Sequence, residues 1–363
     1  MARKPAWRVE ISDTVEPFEQ EWRSLRRADN STPFQDYDLM RVFYRQLAEN
    51  RLMQPVIALV RDPDGTPVAV FPLMKTRRFG LTWLRMDARP LDHCVPLLDT
   101  SLQEKQIYSI IREVMKAIPG VDLLYCNRMP ERFEGRDNPL AKFKNAGRLR
   151  LSSWQLPLSD TSLKEIVGRR QKRFRSKLSS RIKQLSASHE RRFAIALGAD
   201  ISPQDLIEFK DLRSQSFAEK QRSDILGDPA WTGFYDGMIE NTGGDCRAFL
   251  ATLKADGQMI AGLYGFVSDG RVEVVLPASL MGEWKDFLPG LQLFDETIAY
   301  FFNKNFRIYD LSIGDMAYKR RFGADRVSIY DALFPFSAAG FAYYVMWRIK
   351  IGIRSRMKSI SSE

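Results

Sequence analysis

The chain has few of the residues from which metal centres and disulfide frameworks are built. Its 363 residues include two histidines and three cysteines, which are His93, His189, Cys94, Cys126 and Cys246. The cysteines are odd in number and far apart, and no Cys-x-x-Cys pair occurs. This pattern argues against a zinc site or a disulfide scaffold and indicates a reducing compartment. We therefore expect no metal in the functional site.

Long apolar runs are missing from both ends of the sequence. Met1 to Trp7 lead directly into Arg8 and Glu10, so they lack the apolar core that a signal peptide needs. The apolar and aromatic run from Leu333 to Met346 is shorter than the about 20 residues that span a bilayer. Basic residues follow it. We expect a cytoplasmic protein whose C-terminal helix docks on the protein or lies at an anionic membrane surface.

Acidic residues are scarce in one segment of a chain that carries a net charge of +10. No Asp or Glu occurs between Glu165 and Glu190. The basic residues there are Arg169, Arg170, Lys172, Arg173, Arg175, Lys177, Arg181 and Lys183, and the apolar ones with helical spacing are Val167, Phe174, Leu178, Ile182 and Leu185. We predict an amphipathic basic helix from Lys164 to Lys183 that packs by this seam.

The basic helix favours an anionic partner, because a solvated face would normally mix charges of both signs. We expect Arg170 and Arg173 to contact a phosphate-bearing donor or acceptor. RNA is a weaker alternative, since no aromatic RNA-binding pattern accompanies the basic residues. The oligomeric state is not indicated by the sequence.

The two halves of the chain repeat one order of elements. Each half contains a strand, an Asp-Gly turn and a second strand, followed by a third strand, a helix and a fourth strand. The predicted ranges are 56–60, 68–71, 81–86, 102–118 and 121–126 in the first half, and 249–253, 259–264, 272–276, 291–303 and 307–311 in the second. Chance recurrence of common hairpins is the alternative to a duplication. We predict an α/β fold with domains at 1–150 and 151–335 and a basic, aromatic tail at 336–363.

The segment from Asp310 to Gly323 concentrates chemistry just after a predicted buried strand. Gly314 ends the strand, and a carboxylate, a phenol and an ammonium follow as Asp315, Tyr318 and Lys319. Such a cluster at a strand end is typical of a functional site.

These residues resemble a motif of the CelD-like branch of the GNAT acyltransferase superfamily, which is related to the FemABX peptidyl transferases. The matching positions are Gly314, Asp315, Tyr318, Lys319, Phe322 and Gly323. Further landmarks in the expected order are residues 32–35, 71–73, 169–181 and 289–291, so the resemblance spans Trp7 to Pro335. It implies tandem GNAT-like domains, each with a mixed, mostly antiparallel sheet flanked by helices. The first domain is expected to be structural or to bind the acceptor.

The resemblance also implies a site for an acyl-CoA donor, acetyl-CoA above all. Pro289, Gly290 and Leu291 open a helix whose free amides suit a pyrophosphate, although only Gly290 remains of the GNAT glycine pattern. Leu276 ends a strand that corresponds to the splayed central strand of the family, where a free amide can polarise a thioester carbonyl. The alternative is that Pro289 and Gly290 simply start a helix.

Three residues are candidates for proton and charge transfer. Asp315 is expected to accept a proton from the acceptor, and Lys319 to stabilise negative charge, with Tyr318 contacting substrate. The alternative places Asp315 as a helix N-cap and Lys319 on a solvated face. Glu273 is either a base that acts through a water or an ordinary solvent-facing strand residue.

Three functions remain open from the sequence. The first is an N- or O-acyltransferase that acts on a small acceptor of anionic, sugar or envelope-related type. The second is an aminoacyl-tRNA-dependent transferase like FemABX proteins, which predicts tRNA binding by the basic helix. The third is a non-catalytic adaptor in polysaccharide biosynthesis, which predicts no donor binding.

Overall fold

The computed structural model describes residues 7–47, 53–86, 91–219, 221–241 and 243–360. The chain divides into two compact units. Unit 1 comprises Met1–Arg150 with Ser328–Glu363, and unit 2 comprises Leu151–Val327. Our expectation about Met1 to Ala6 lies outside the described residues. Among the described helices, none combines the length and apolarity that crossing a bilayer requires.

Strands and helices alternate along most of the chain. The strands are β1 Arg8–Ser12, β2 Gln54–Arg61, β3 Pro67–Arg78, β4 Leu81–Arg85, β5 Leu97–Leu98, β6 Leu123–Pro130, β7 Ala146–Pro157, β8 Arg191–Leu197, β9 Arg247–Ala255, β10 Gln258–Ser268, β11 Arg271–Ser279, β12 Ile308–Ile313 and β13 Asp325–Pro335. The helices are α1 Glu19–Leu25, α2 Tyr37–Leu47, α3 Glu104–Ala117, α4 Leu163–Gly168, α5 Lys172–Ser188, α6 Pro203–Glu219, α7 Pro229–Glu240, α8 Pro289–Asn303, α9 Ala317–Arg321 and α10 Ala338–Ile360.

The two units contain sheets of the same topology. In unit 1, β1, β2, β3 and β4 pair antiparallel in sequence, and β4 pairs parallel with β6. In unit 2, β8, β9, β10 and β11 repeat the antiparallel series, and β11 pairs parallel with β12. Two helices follow the first strand in each unit and one helix joins the parallel pair. The expected α/β fold with two GNAT-like, mostly antiparallel sheets is therefore present.

Turn chemistry explains why the hairpins form where the sequence predicted them. Asp256 and Gly257 connect β9 to β10 with φ values of 50° and 82°, the left-handed pair that a tight hairpin turn requires. At the β2–β3 turn, the Asp62 carboxylate accepts hydrogen bonds from the amides of Asp64 and Thr66. Gly65 there has a φ of 89°. Local residues thus set the register of both hairpins.

The last strand of each sheet comes from a distant part of the sequence. β13 pairs antiparallel with β6 from Ile329 to Pro335, and β7 pairs antiparallel with β12. We predicted a second domain to residue 335 and a separate tail beyond it. The compact units divide instead at residue 327, because the end of β13 completes the first sheet and α10 packs on unit 1.

The basic segment forms two helices rather than the one that we predicted. Ser162 caps α4 through a capping box with Glu165, and the chain leaves helical geometry before α5 begins at Lys172. Phe174, Leu178 and Leu185 are buried as the seam predicted. Arg170 lies in this break and is buried.

Gly265 permits the close approach of β10 and β11, and it supplies a test of this arrangement. A Cβ atom at this position would lie 2.1 Å from the backbone oxygen of Glu273 and 2.6 Å from the Phe249 ring. We predict that Gly265→Ala lowers the free energy of unfolding by about 3 kcal/mol, because backbone must shift. Gly168→Ala, where nothing lies within 4 Å of the added Cβ, is the control and should change it by less than about 1 kcal/mol. Urea denaturation measures both, and equal midpoints would contradict the prediction.

Candidate active site

Strands β11 and β12 separate after a short parallel contact. Their pairing runs from Arg271 with Ile308 to Glu273 with Asp310 and then stops, although β11 continues to Ser279. We call the space between residues 274–279 of β11 and 311–313 of β12 the fork. Within the described residues, strand amides that point into this gap have no partner on the facing strand. The splayed strand expected from the sequence is therefore present in unit 2.

A bulge lies in β11 beside the fork. Tyr264 of β10 pairs with Leu276, whereas Gly265 pairs with Val274, so Val275 is the additional residue. A bulge bends its strand and interrupts the hydrogen-bond ladder. The geometry thus redirects the backbone just before Leu276, which lies in the segment predicted to meet the donor.

A buried ion cluster closes the narrow end of the fork. Arg271 lies between Glu273 and Asp310, with its Nε 3.4 Å from a Glu273 oxygen and an Nη donating to Asp310. Both carboxylates are fully buried. Burial disfavours the charge of Arg271, but Asp310 and Glu273 together raise its pKa above the ordinary value. The alternative of a solvent-facing Glu273 is wrong, since the fold buries this side chain against an arginine.

Asp310 fixes the position of β12 through several donors. Its carboxylate accepts hydrogen bonds from Ser153 Oγ at 2.9 Å, Gln155 Nε2 at 2.8 Å and the Ser312 amide at 2.7 Å. Sequence reasoning missed the roles of Asp310 and Arg271. A charged residue inside an apolar strand was the visible signal, but its partners come from β7 and β11.

A pocket of about 440 Å³ opens beside the fork within unit 2. Its lining is mostly apolar and comes from the end of β11, the start of α8 and the segment after β12. The lining residues are Phe217, Arg222, Leu263, Pro277, Ala278, Ser279, Leu280, Met281, Lys285, Leu288, Pro289, Gly290, Leu291, Phe294, Met316 and Tyr318. We call this cavity the α8 pocket. Its size suits the slender arm of a cofactor-like donor.

Four predicted site residues meet in the α8 pocket, and the others lie elsewhere. Pro289, Gly290, Leu291 and Tyr318 line it. The other six predicted site residues do not belong to the described lining of the pocket. They are Leu276, Glu273, Asp315, Lys319, Arg170 and Arg173. Two cations of the lining, Arg222 and Lys285, were not predicted from the sequence. They lie in the connections between the longer helices and strands.

The first turn of α8 faces the pocket with open backbone. Leu288, at a left-handed φ of 58°, accepts hydrogen bonds on its carbonyl from the amides of Leu291 and Gln292. Pro289 has no N–H, so the Gly290 amide is the first donor of the helix. A Cβ at Gly290 would lie 3.2 Å from the Ser279 side chain. The helix N-terminus carries partial positive charge, which favours an anionic group here.

Tyr318 contributes a phenol to the α8 pocket. Its ring lies 5.2 Å from the Phe294 ring, centroid to centroid. Burial raises the pKa of Tyr318 well above its ordinary value. The phenol therefore keeps its proton at neutral and moderately alkaline pH, and it can donate that proton to a more basic group.

Lys319 is buried at the end of β12, so the alternative of a solvated lysine is wrong. Its side chain is 2% exposed. The ammonium donates to the carbonyl of Ser312 at 2.8 Å and approaches that of Ile313 at 3.2 Å. These carbonyls belong to the residues where β12 ends, so the cation holds the strand terminus in place. Its predicted role in charge stabilisation stays a prediction.

Asp315 is exposed and lies against β7. Its carboxylate accepts a hydrogen bond from Trp154 Nε1 at 3.1 Å. The N-cap of α9 is Met316, so the alternative in which Asp315 caps this helix is wrong. Asp315 precedes the pocket residues Met316 and Tyr318, and its role as a base stays a prediction.

The two predicted phosphate contacts occupy different environments. Arg170 is 6% exposed, pairs with Asp295 at 2.5 Å and lies over the Phe322 ring. Burial raises the pKa of Asp295, and Arg170 opposes that shift. Arg173 is exposed on the first turn of α5. Their contacts with a substrate stay predictions.

The sequence of unit 2 matches a known domain family. Residues 172–320 match the family model described as an acetyltransferase (GNAT) domain. This range includes β11, the α8 pocket, the ion cluster residues Arg271, Glu273 and Asp310, and the Lys319 turn. Over this range, which is less than half of the chain, the sequence is similar to a GNAT acetyltransferase domain. No curated protein matches the chain.

Solved structures of the same fold cover nearly the whole chain. FemX has a TM-score of 0.59 at 12% identity, covering 90% of this chain and 97% of FemX. The C-terminal domain of a putative lysylphosphatidylglycerol synthetase from Agrobacterium fabrum has a TM-score of 0.54 at 12% identity, covering 91% and 96%. L-PGS from Bacillus licheniformis has a TM-score of 0.52 at 11% identity, covering 93% and 97%. The expected GNAT and FemABX-like fold is confirmed.

Substitution of Lys319 separates a positioning role from a chemical one. We predict that Lys319→Met lowers the free energy of unfolding by about 2 kcal/mol, because two strand-end carbonyls lose a charged donor. Arg320→Met, one residue later and exposed, should change it by less than about 0.5 kcal/mol. Chemical denaturation of the two variants provides the measurement. Wild-type stability of Lys319→Met would mean that the ammonium does not hold the end of β12.

Proposed function

We propose that unit 2 transfers an acyl group, acetyl in the first instance, from acyl-CoA to an amine or hydroxyl of a small acceptor. The observation that carries this proposal is the coincidence of three features in one unit. The fork exposes backbone amides, the α8 pocket opens beside it, and the start of α8 lines that pocket. Direct transfer needs a place for the thioester and a place for the anionic end of its carrier.

The donor would lie with its pantetheine arm in the α8 pocket and its pyrophosphate at the first turn of α8. The Gly290 amide and the cations Arg222 and Lys285 support this orientation. The apolar lining suits the pantetheine chain, and the fork gives its carbonyls strand-like hydrogen-bond partners. The thioester carbonyl would then accept a hydrogen bond from a β11 amide near the Val275 bulge.

The chemistry follows from this pose. The acceptor nitrogen or oxygen attacks the thioester carbonyl carbon, the carbon–sulfur bond breaks, and the acyl group stays on the acceptor. Tyr318 would donate a hydrogen bond to the departing thiolate, because its raised pKa keeps the phenol protonated. Asp315, which is exposed beside the pocket residues, would receive the acceptor proton. Glu273 is enclosed by its ion cluster, so a proton would reach it only through a water.

The acceptor would be sugar-like or envelope-related and anionic. Arg173 supports this choice, because it is exposed at the start of α5 among other cations. The CelD-like branch suggests the same class of acceptor, in line with polysaccharide biosynthesis.

Binding of the donor tests the proposal most directly. We predict that acetyl-CoA binds in isothermal titration calorimetry and that Gly290→Leu weakens binding at least about tenfold. The added side chain would meet Ser279 and occupy the pocket. Gly168→Leu is the matched control, since open space surrounds a Cβ at that position and it does not line the pocket.

The same titration with aminoacyl-tRNA separates the alternatives. Binding of charged tRNA without binding of acetyl-CoA would replace the proposal with a FemABX-like transferase. Binding of neither would favour a non-catalytic adaptor. Equal affinities of Gly290→Leu and wild type for acetyl-CoA would place the donor outside the α8 pocket.

A specific observation favours aminoacyl-tRNA as the second candidate donor. Lys172, Arg173, Arg175 and Lys177 are exposed at the start of α5. Cations at a helix N-terminus oppose the helix dipole and destabilise the free protein. A polyanion bound there would relieve this repulsion, and tRNA is a polyanion of the required extent.

Tyr318→Phe tests the proposed hydrogen bond from the phenol to the departing thiolate. We predict that it lowers kcat about 100-fold and leaves the affinity for acetyl-CoA nearly unchanged, because only the hydroxyl is lost. Tyr300→Phe, on α8 but outside the pocket lining, is the control. The wild-type rate should not fall through tyrosine ionisation near pH 10, where an ordinary phenol loses its proton. A wild-type kcat for Tyr318→Phe would remove the phenol from the proposed mechanism.

A further inference from the structure

Within the side chains that the structure describes, helix α10 packs its apolar contacts on unit 1 by one face. Tyr343 packs edge-on against Trp83 with ring centroids 5.0 Å apart, and Tyr344 and Trp347 pack on the same apolar cluster. Gly340 lies so close to the Asp122 carbonyl that a Cβ would approach it to 2.2 Å. These contacts fix the rotation of the helix about its axis. They also determine which side chains remain outside.

The outer face of α10 is a stripe of large apolar side chains. Phe341, Val345, Met346 and Ile349 are 57%, 41%, 62% and 57% exposed. Phe341, Val345 and Ile349 are four residues apart, so they lie one above another on the helix. Scattered exposed apolar residues are ordinary, but a continuous stripe indicates an interaction surface.

A second element extends this surface. Phe79, at the tip of the β3–β4 hairpin, is 69% exposed and stacks on Tyr343 with centroids 6.3 Å apart. The Arg78 guanidinium lies 4.8 Å from the Phe79 ring centroid, and Arg77 beside it is also exposed. An apolar tip preceded by two arginines thus adjoins the helix.

Charge distinguishes between the occupants that could cover this surface. Residues 332–362 contain no Asp or Glu, and α10 carries Arg348, Lys350, Arg354, Arg356 and Lys358. Arg348 and Lys350 are exposed next to the apolar stripe. A second copy of this surface would bring like charges together, whereas an anionic lipid surface accepts both the cations and the apolar side chains.

We propose that the outer face of α10 and the Phe79 hairpin tip bind an anionic lipid membrane, with the helix lying in the plane of the interface. The apolar stripe would enter the boundary between headgroups and acyl chains, and the flanking cations would contact lipid phosphates. This inference does not depend on the proposed acyl transfer, because it concerns unit 1 alone.

Vesicle co-sedimentation of the full chain tests the proposal. We expect binding to mixed phosphatidylcholine and phosphatidylglycerol vesicles, and at least about tenfold weaker binding to phosphatidylcholine alone. High salt should weaken binding to the mixed vesicles, because it screens exposed charges.

Three variants assign the binding to this surface. The double variant Phe341→Ser and Ile349→Ser should lower the affinity for mixed vesicles at least about tenfold, since buried apolar area is lost. Ile207→Ser, at a 54% exposed residue of α6, is the matched control and should bind like wild type. The double variant Arg77→Gln and Lys350→Gln should lower the affinity about 25-fold, at roughly fivefold per cation.

Several outcomes would overturn the proposal. These are no binding to either vesicle, equal binding to both, or vesicle binding that the Phe341 and Ile349 substitutions leave unchanged. Size-exclusion chromatography tests whether the stripe instead forms a dimer. A dimer that these substitutions convert to a monomer, without any vesicle binding, would show that the stripe joins two copies of the chain.

Discussion

The geometry of the candidate active site depends on one buried ion cluster. Arg271 lies between Glu273 and Asp310 at the last residue pair that joins β11 to β12. The two buried carboxylates would repel each other without the guanidinium between them. An uncompensated buried charge costs about 3 to 5 kcal/mol. The cluster therefore ties the two strands at one point. Beyond that point nothing pairs them within the described residues, so the fork begins at a fixed position.

A second constraint holds the far side of the fork. Ser312 and Gly314 have φ values of 64° and 120°, so the chain turns sharply as β12 ends. The Lys319 ammonium donates hydrogen bonds to the carbonyls of Ser312 and Ile313 in this turn. The strained end is thus supported by a buried cation in addition to the pairing of Ile313 with Ser153 of β7. A rigid opening of this kind keeps amide donors in place before a substrate arrives, which is the condition for electrostatic stabilisation of an oxyanion.

The sequence predicts those parts of the fold that local chemistry determines. Asp256 and Gly257 define a hairpin by their own conformational preferences, and Pro289 starts α8 where its missing N–H costs nothing. The burial of Glu273 and Lys319 was not predictable in the same way. Their partners, Asp310, Ser312 and Arg271, become neighbours only when the sheet has formed. The return of β13 to β6 and the burial of Arg170 likewise depend on contacts between residues far apart in sequence.

Because the topology is duplicated, each unit has a helix that joins its parallel strand pair, α3 in unit 1 and α8 in unit 2. The N-termini of these two helices differ. In unit 1, the first turn of α3 is closed by a capping box in which the Gln106 side chain accepts the Gln103 amide. In unit 2, no side-chain hydrogen bond from the described residues caps α8, and Leu288 cannot supply one. The first turn of α3 also carries the carboxylate of Glu104, which opposes a bound anion, whereas the first turn of α8 has no acidic residue. The first turn of α8 is therefore better suited to an anion than that of α3, which supports the proposed placement of the donor in unit 2.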